Sequence, residues 1–500
     1  MRKPTESCGV AGAASSIGED VLPYVYRMLI VLNHRGQQSY GILAYDGGVF
    51  RGLKRAGLVS ETDLEELVGT RGLSGSLALG HVRYATSGGD SPDELLLGAQ
   101  PVLVERNGLR LALAYNGNLV NARELAEKQR SRGSETGLFA DADVLAREIL
   151  DGIIETGDVV EALALLAERV DGAYSVVCAL SDGSLLAFRD PRGLKPLAVG
   201  SIDERRMFLA SSESAALEDL EVSSWTHVGP GELVSFDGEE TSRLRFAPGE
   251  ERLCAFEFAY FARPDSRLLP GCRYVYEIRR ELGAILAERF REVMNRIDII
   301  APVPETAVDA ALGLASASGK PIEPVIVRHR YVKQRAFILD EATRRRILEM
   351  KYNVLRDKVA GARIALIDDS IVRGETTRLL VERLKRAGAR EVHVFSTFPK
   401  ISHPCFYGID MATYEELAGF ERGPEEVARL IGADSVCYQE PEDYVRAVGS
   451  NSLCMACVTG IYPTPRAQRL ADEAREEASR RIELTSSRTR RVRILESHGA

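Results

Sequence analysis

Residues 364–380 read IALIDDSIVRGETTRLL. Ile364 to Ile367 form an apolar run without alternation, which is how a parallel strand buried on both faces reads. Asp368 and Asp369 stand at its carboxyl end, a short loop follows at 370–374, and Thr376-Thr377 lead into a helix pattern. In open α/β sheets the ligand sits beyond the carboxyl ends of the strands. A helix N-terminus with free N–H groups favours phosphate there. The stretch therefore offers two acids for a sugar diol or a metal, beside a phosphate cradle. Taken alone, an Asp-Asp pair is more often a strand ending in solvated acids before a capped helix, so the rest of the chain has to decide.

Working outward, the chain has 500 residues, enough for two to four domains with sizeable cores. Its 45% hydrophobic and 27% charged content is that of an ordinary soluble protein. The net charge of −9 argues against nucleic acid as a partner. No apolar run approaches the ~18 residues of a membrane helix, so no membrane partner is expected. MRKPTES at the start lacks the apolar core of a secretory signal. Eight cysteines scattered over the whole chain fit a reducing cytosol, hence a cytoplasmic location.

The N-terminal part carries an ordered series of motifs. Cys8 stands in ESCGVAG; HRGQQSYGI follows at 34–42, GHVRYATSG at 80–88, YNGNLVN at 115–121 and DADVL at 141–145. RDPRGLKPL at 189–197, ASSES at 210–214 and PGELV at 230–234 close the series. A lone buried cysteine is usually a packing residue, and a lone NGN is usually a hairpin turn. In this order and spacing, however, the motifs are similar to the N-terminal-nucleophile glutamine amidotransferase domain. The resemblance covers roughly Cys8 to Val234 and implies a four-layer α/β/β/α sandwich; pattern alone gives α+β.

The same resemblance implies the site. Cys8 is the nucleophile, and Asn116 and Gly117 form the oxyanion hole. Arg83 clamps the glutamine α-carboxylate and Asp141 accepts the α-ammonium. Arg35 and Thr86 complete the shell around glutamine. A nucleophile of this kind uses its own α-amine, with a pKa of about 7.7–8.0, as base. Residues 1–7 are then a propeptide to be removed. The family more often has TSDTEVL where this chain has LFADADVL, so two neighbouring hydroxyls become Ala140 and Ala142.

LIDDSIVRG resembles the phosphoribosyl pyrophosphate (PRPP) fingerprint of type I phosphoribosyltransferases, and DDSIVRG that of the glutamine PRPP amidotransferase family in particular. The resemblance implies a doubly wound sheet, with Lys351, Asp368, Asp369, Ser370, Arg373, Gly374 and Thr376 around PRPP. Thr306, in VPET, joins the two acids at Mg²⁺. Eight basic residues from Arg328 to Lys351 are similar to the loop that closes over the pyrophosphate. Two departures stand out. The family's RGTT is RGET here, which puts Glu375 where a phosphate comes close. RYVGRTFI becomes RYVKQRAFI, one residue longer and with Ala336 in place of threonine.

CAFEFAYFARPDS at 254–266 looks like the junction between the family's two halves. A bare C-x-x-C pair fits zinc, redox or chance spacing. Cys254, Cys405, Cys454 and Cys457 together match the ligands of a [4Fe–4S] cluster in the family's iron–sulfur type. Cys178, Cys272 and Cys437 read as packing residues. The domain reading is 1–7 propeptide, 8–240 glutaminase, 254–464 phosphoribosyltransferase with the cluster cysteines, and 465–500 a charged, solvated tail, helix-forming to about Leu484.

The resemblance thus implies a bifunctional enzyme that hydrolyses glutamine and passes ammonia to PRPP, giving 5-phosphoribosylamine for purine synthesis. Purine nucleotides are the expected inhibitors and a homo-oligomer, dimer or tetramer, the expected assembly. The competing reading is a regulatory paralogue that binds PRPP or nucleotide without efficient transfer; Glu375, Ala336 and Ala142 favour it, and the intact Cys8, Asn116, Arg83 and Asp141 oppose it. A glutaminase joined to a sugar-phosphate aminotransferase or asparagine synthetase is disfavoured by DDSIVRG and the basic loop.

Overall fold

Alternation along two strands builds the N-terminal half. In Leu109–Leu119, Leu111, Leu113 and Tyr115 pack with helices Asp141–Thr156 and Val159–Arg169, while Ala112 and Ala114 point into a second core on the other face. In Gly9–Ser15, Ala11 and Ala13 pack with helix Leu22–Val31, and Val10 and Ala14 point into that same second core. Successive strand side chains point to opposite faces, so each strand divides itself between two layers. At Gly12 the two sheets approach closely: a Cβ there would lie 2.5 Å from Val177 Cγ1.

The computed structural model describes residues 8–84, 92–132, 140–203, 206–222, 224–329, 350–411 and 413–497, without the side chains of residues 70, 92–94 and 482–497. Thr86, Ala336 and six of the eight basic residues of the expected closing loop lie outside them, as do residues 1–7.

Among the described residues, one sheet of the sandwich has seven strands, in the order Ser224–His227, Ala198–Ile202, Met207–Ser211, Gly9–Ser15, Leu77–Arg83, Ser39–Asp46 and Val49–Ala56. The other has six: Thr241–Arg245, Glu232–Phe236, Leu185–Arg189, Gly172–Leu180, Leu109–Leu119 and Val102–Arg106. Every pairing in both is antiparallel. With helices on both outer faces this is the α/β/β/α sandwich that the resemblance implied.

The second half is a parallel sheet ordered Ile299–Pro302, Arg363–Asp368, Glu391–Pro399 and Ser435–Gln439. Alternate residues of Arg363–Asp368 enter opposite cores: Ile364 and Leu366 on one side, Ala365 and Ile367 on the other. That two-sided burial is why the strand reads as an unbroken apolar run. On one face, helices Val275–Arg289 and Val308–Ser318 cross at two glycines. A Cβ on Gly283 would lie 1.9 Å from the Ala310 carbonyl oxygen, and one on Gly313 would lie 1.8 Å from that of Arg280.

The C-terminal stretch corrects the expectation of a solvated tail. Pro465–Ser497 is one helix, running past Leu484. Its Ala467, Ala471 and Ala478 are buried, the first two in a cluster with Ala173 and Leu194 of the sandwich. Arg466 caps the attachment, its N–H donating to Asp171 at 3.3 Å and its guanidinium bonding Glu124.

Two measurements check these features. Helix propensity alone makes Gly283→Ala stabilising by about 1 kcal/mol. The close crossing reverses the sign, and we expect a net loss of about 1–3 kcal/mol, read as a lower urea midpoint. His81, buried on Leu77–Arg83, is pushed down to about 3, first by burial and then by the Arg83 charge. The unfolded chain, near pKa 6.5, therefore binds a proton that the native state refuses. Stability from this site is complete above pH 6.5 and is lost on acidification, by up to about 1.4 kcal/mol per pH unit. His81→Gln should flatten the decline of the urea midpoint between pH 6 and 4; an unchanged slope would rule the site out as a source of it.

Candidate active sites

Cys8 and Asn116 meet because each continues the inner-face register of its strand: Cys8 follows the parity of Val10, and Asn116 that of Ala112 and Ala114. The Cys8 backbone N–H donates to Asn116 Oδ1 at 3.1 Å. This bond fixes the amide orientation and leaves Asn116 Nδ2 buried without a hydrogen-bond partner among the described residues. A buried donor without an acceptor is costly unless something visits it. Beside it, Gly117 has φ 154°, and a Cβ there would lie 1.9 Å from the Ala173 carbonyl oxygen. Only glycine fits, and the pair presents a side-chain and a backbone N–H next to the thiol.

Two of the other expected glutamine-binding residues, Arg83 and Asp141, have their own protein contacts. Arg83 donates to the Leu95 carbonyl at 3.0 Å, and its guanidinium lies against Gly98, where a Cβ would intrude to 2.3 Å. Asp141 begins the helix Asp141–Thr156, and its Oδ2 accepts the Leu119 N–H at 2.9 Å. A carboxylate in the first turn of a helix is electrostatically favoured.

Arg35 departs from its expected place around glutamine. It is fully buried, and its Nε donates to the Cys8 carbonyl at 2.9 Å. Nη1 donates to Glu213 at 2.6 Å and to Glu257 at 2.9 Å, and Nη2 to Glu257 at 2.9 Å. The guanidinium is spent on protein groups, so Arg35 positions the nucleophile from behind. Glu213 also bonds His34 Nε2 at 2.8 Å and accepts the Ser266 hydroxyl at 2.6 Å. Its neighbouring cations hold this carboxyl well below the usual range despite burial.

In the second half, Asp368 and Asp369 are buried at the carboxyl end of their strand. The Asp369 N–H donates to Asp368 Oδ1 at 3.0 Å, Ser370 donates to Asp369 Oδ1 at 2.8 Å, and the Thr306 hydroxyl bonds Asp369 Oδ2. Burial, then the Asp369 charge, pushes Asp368 well up; burial raises Asp369 against hydrogen bonds from Thr306 and Ser370. Gly374, at φ 77°, starts the helix Glu375–Arg386, with Glu375 and Thr376 in its first turn. Lys351 lies at the foot of the antiparallel ribbon Ile326–Arg328 with Tyr352–Val354, its carbonyl accepting the His329 N–H at 2.8 Å. Arg373, in the loop before helix Glu375–Arg386, pairs with Glu416 at 2.9 Å and Asp410 at 3.3 Å.

The four expected cluster cysteines lie between the halves. Cys254 pairs directly with Cys454 on a parallel two-stranded ribbon. The Cys457 carbonyl accepts the N–H groups of Ser402 and His403, tying it to the segment before Cys405. Cys405 Sγ accepts the Tyr407 N–H at 3.3 Å. Cys457 interacts electrostatically with the other three, and burial raises all four thiols, Cys254 to about 12. Among the described residues, no three His, Cys, Asp or Glu side chains converge tightly enough to hold a single metal ion. Cys178 and Cys437 are buried in cores, and Cys272 packs beside one.

Four residues central to this arrangement were not singled out from the sequence: Glu213, Glu257, Lys195 and Arg279. The first three stand in ASSES, CAFEFAY and RGLKPL, motifs that marked the family without assigning these side chains a role. Arg279 carried no signal beyond an interior position in a helix. It is buried, donates to the carbonyls of Phe258 at 2.9 Å and Ala262 at 2.8 Å, and its charge reaches Asp309 and Asp369.

Known proteins bear on this geometry. The family described as a glutamine amidotransferase domain matches residues 90–219. An amidophosphoribosyltransferase of Pyrococcus horikoshii is 41% identical over 459 residues, covering 92% of this chain and 97% of its own. One from Methanocaldococcus jannaschii is 37% identical over 474 residues, covering 91% and 98%. The solved glutamine PRPP amidotransferase of Bacillus subtilis, complexed with ADP and GMP, superposes with TM-score 0.80 at 34% identity, covering 92% of this chain and 98% of that one. Identity at this level over nearly the full length of both partners, with the same two-part fold, places the chain in the amidophosphoribosyltransferase family.

Proposed function

We infer that this chain is a bifunctional glutamine PRPP amidotransferase, catalysing the committing step of purine synthesis. The observation that carries this reading is the Cys8–Asn116 pair with its unpartnered buried Nδ2, in one chain with a parallel strand ending in two buried acids. Removal of residues 1–7 turns the Cys8 nitrogen into an α-amine, able to take the thiol proton near neutral pH. Cys8 Sγ attacks the glutamine amide carbon, and the developing oxyanion takes hydrogen bonds from Asn116 Nδ2 and the Gly117 N–H. Ammonia leaves as the γ-glutamyl thioester forms, and water releases glutamate. Arg83 and Asp141 hold the two ends of the amino acid. Ammonia then displaces pyrophosphate from C1 of PRPP, giving 5-phosphoribosylamine. It has to travel inside the protein, because in water it would be protonated.

The pair Asp368 and Asp369, together with Thr306, suits Mg²⁺: two buried acids raised by desolvation are relieved by a cation. Mg²⁺ there would supply charge neutralisation for the departing pyrophosphate. Cys254, Cys405, Cys454 and Cys457 suit a [4Fe–4S] cluster, since four mutually interacting thiols, Cys454 buried and the others partly buried, with an N–H donor on the Cys405 sulfur, match its ligand chemistry. Such a cluster spans several atoms and spaces its thiolates more widely than a single ion does. It would serve as a structural tie in a reducing, cytoplasmic setting. Purine nucleotides as inhibitors and a homo-oligomeric assembly complete the reading.

Asn116→Ala should lower glutamine-dependent kcat by about 10²–10³-fold while ammonia-dependent synthesis from PRPP stays near wild type; equal loss of both activities would refute the oxyanion assignment. N-terminal sequencing should find mature chains beginning at Cys8. A chain that keeps Met1 yet hydrolyses glutamine would overturn the α-amine mechanism. The ammonia-dependent assay also decides the regulatory alternative, which Glu375 and the engaged Arg373 favour and which requires that rate to be negligible.

A further inference from the structure

Lys195 is a buried cation that the reactions above do not use. Its side chain is 1% exposed, and Nζ has no hydrogen-bond partner among the described residues. Its nearest carboxylate, Glu257, stands 3.7 Å away with both oxygens already taken by Arg35 at 2.9 Å. An ammonium has three donors and no lone pair, so burial at this position calls for further negative charge. Phe261 lies 5.8 Å from Nζ, face on. The backbone is pinned, its carbonyl accepting Ser175 Oγ at 2.8 Å and Arg189 Nε at 2.7 Å. The preceding carbonyl, that of Leu194, accepts the Cys254 N–H at 3.1 Å. This contact sets the Lys195 backbone beside Cys254, with Nζ 3.7 Å from Glu257 three residues further on, and the ammonium's charge acts on the Cys254, Cys405 and Cys454 thiols.

We propose that Lys195 is the buried countercharge of the iron–sulfur centre, setting its reduction potential and its resistance to oxygen. The proposal rests on the cluster reading above. Four thiolates outweigh the positive charge of a [4Fe–4S] core, and each electron added makes the centre more negative by one charge. A fixed cation nearby favours the reduced form, because net charge is one of the levers on cluster potential. Removing it makes the centre easier to oxidise. Lys195 acts through the cluster and touches neither glutamine nor PRPP, so it is a positioning residue.

The test uses full-length, anaerobically purified protein. Iron and sulfide are quantified in the wild type, Lys195→Met and Lys195→Arg, and the midpoint potential is followed by spectroelectrochemical titration. We expect Lys195→Met to shift the midpoint to more negative values and to bleach several-fold faster in air, while Lys195→Arg stays near wild type. If Lys195→Met does not fold, Lys195→Gln takes its place. Folded Met and Gln chains that hold no cluster, beside a loaded Arg chain, support the same assignment, since charge is what Arg shares. Loaded Met and wild-type chains with equal potentials overturn the countercharge and reduce Lys195 to an ion-pair partner of Glu257. A wild-type chain without iron and sulfide overturns the cluster reading along with it.

Discussion

The Arg35 guanidinium ties the Cys8 carbonyl to Glu213 and Glu257, and the organisation of both halves depends on that junction. Burying one cation with two carboxylates is expensive unless every lone pair and proton finds a partner. Here the geometry is close to complete: Glu257 is held bidentately, and Glu213 is shared with His34 and Ser266. Losing one member would strand buried charge, a loss of about 3–5 kcal/mol in such networks. The network holds the residue that carries the nucleophile from its carbonyl side, through the Arg35 Nε bond to the Cys8 carbonyl.

The network also crosses between halves. Glu257 begins the segment Glu257–Phe261, whose carbonyl at Phe258, with that of Ala262, accepts from Arg279. Arg279 in turn lies within electrostatic reach of Asp369 in the phosphoribosyl site. A single short segment therefore contacts the support of Cys8 at one end and an acid of the second site through one arginine. Asn118 adds a third crossing, its amide donating to the Phe406 carbonyl at 2.8 Å, two residues beyond Asn116 and one beyond Cys405. Two chemistries that must share ammonia are thus built on one continuous set of buried contacts.

Much of this was legible beforehand. The unbroken run Ile364–Ile367 identified a two-sided parallel strand, because burial on both faces removes the polar alternate positions. Cys8 and Asn116, which the structure brings into contact, each stand in a local motif on a particular strand. What the motifs do not show is pairing: the Arg35 and Arg373 side chains meet acids remote in sequence, Glu213 and Glu257 for the first and Asp410 and Glu416 for the second. The helix at the C-terminus looked solvated because its charged residues outnumber its alanines. The small side chains are what let it lie close against the sandwich.

The two-part architecture and the family are legible along the chain, since hydrophobic period and motif order are written there residue by residue. The tertiary structure alone decided which charges neutralise which. Ion pairing depends on distance in space, and Arg35 meets a partner more than two hundred residues away. Lys195 and Arg279 are ordinary cations in the sequence. Only burial, which strips away water and leaves each charge dependent on a few fixed neighbours, gives them their significance.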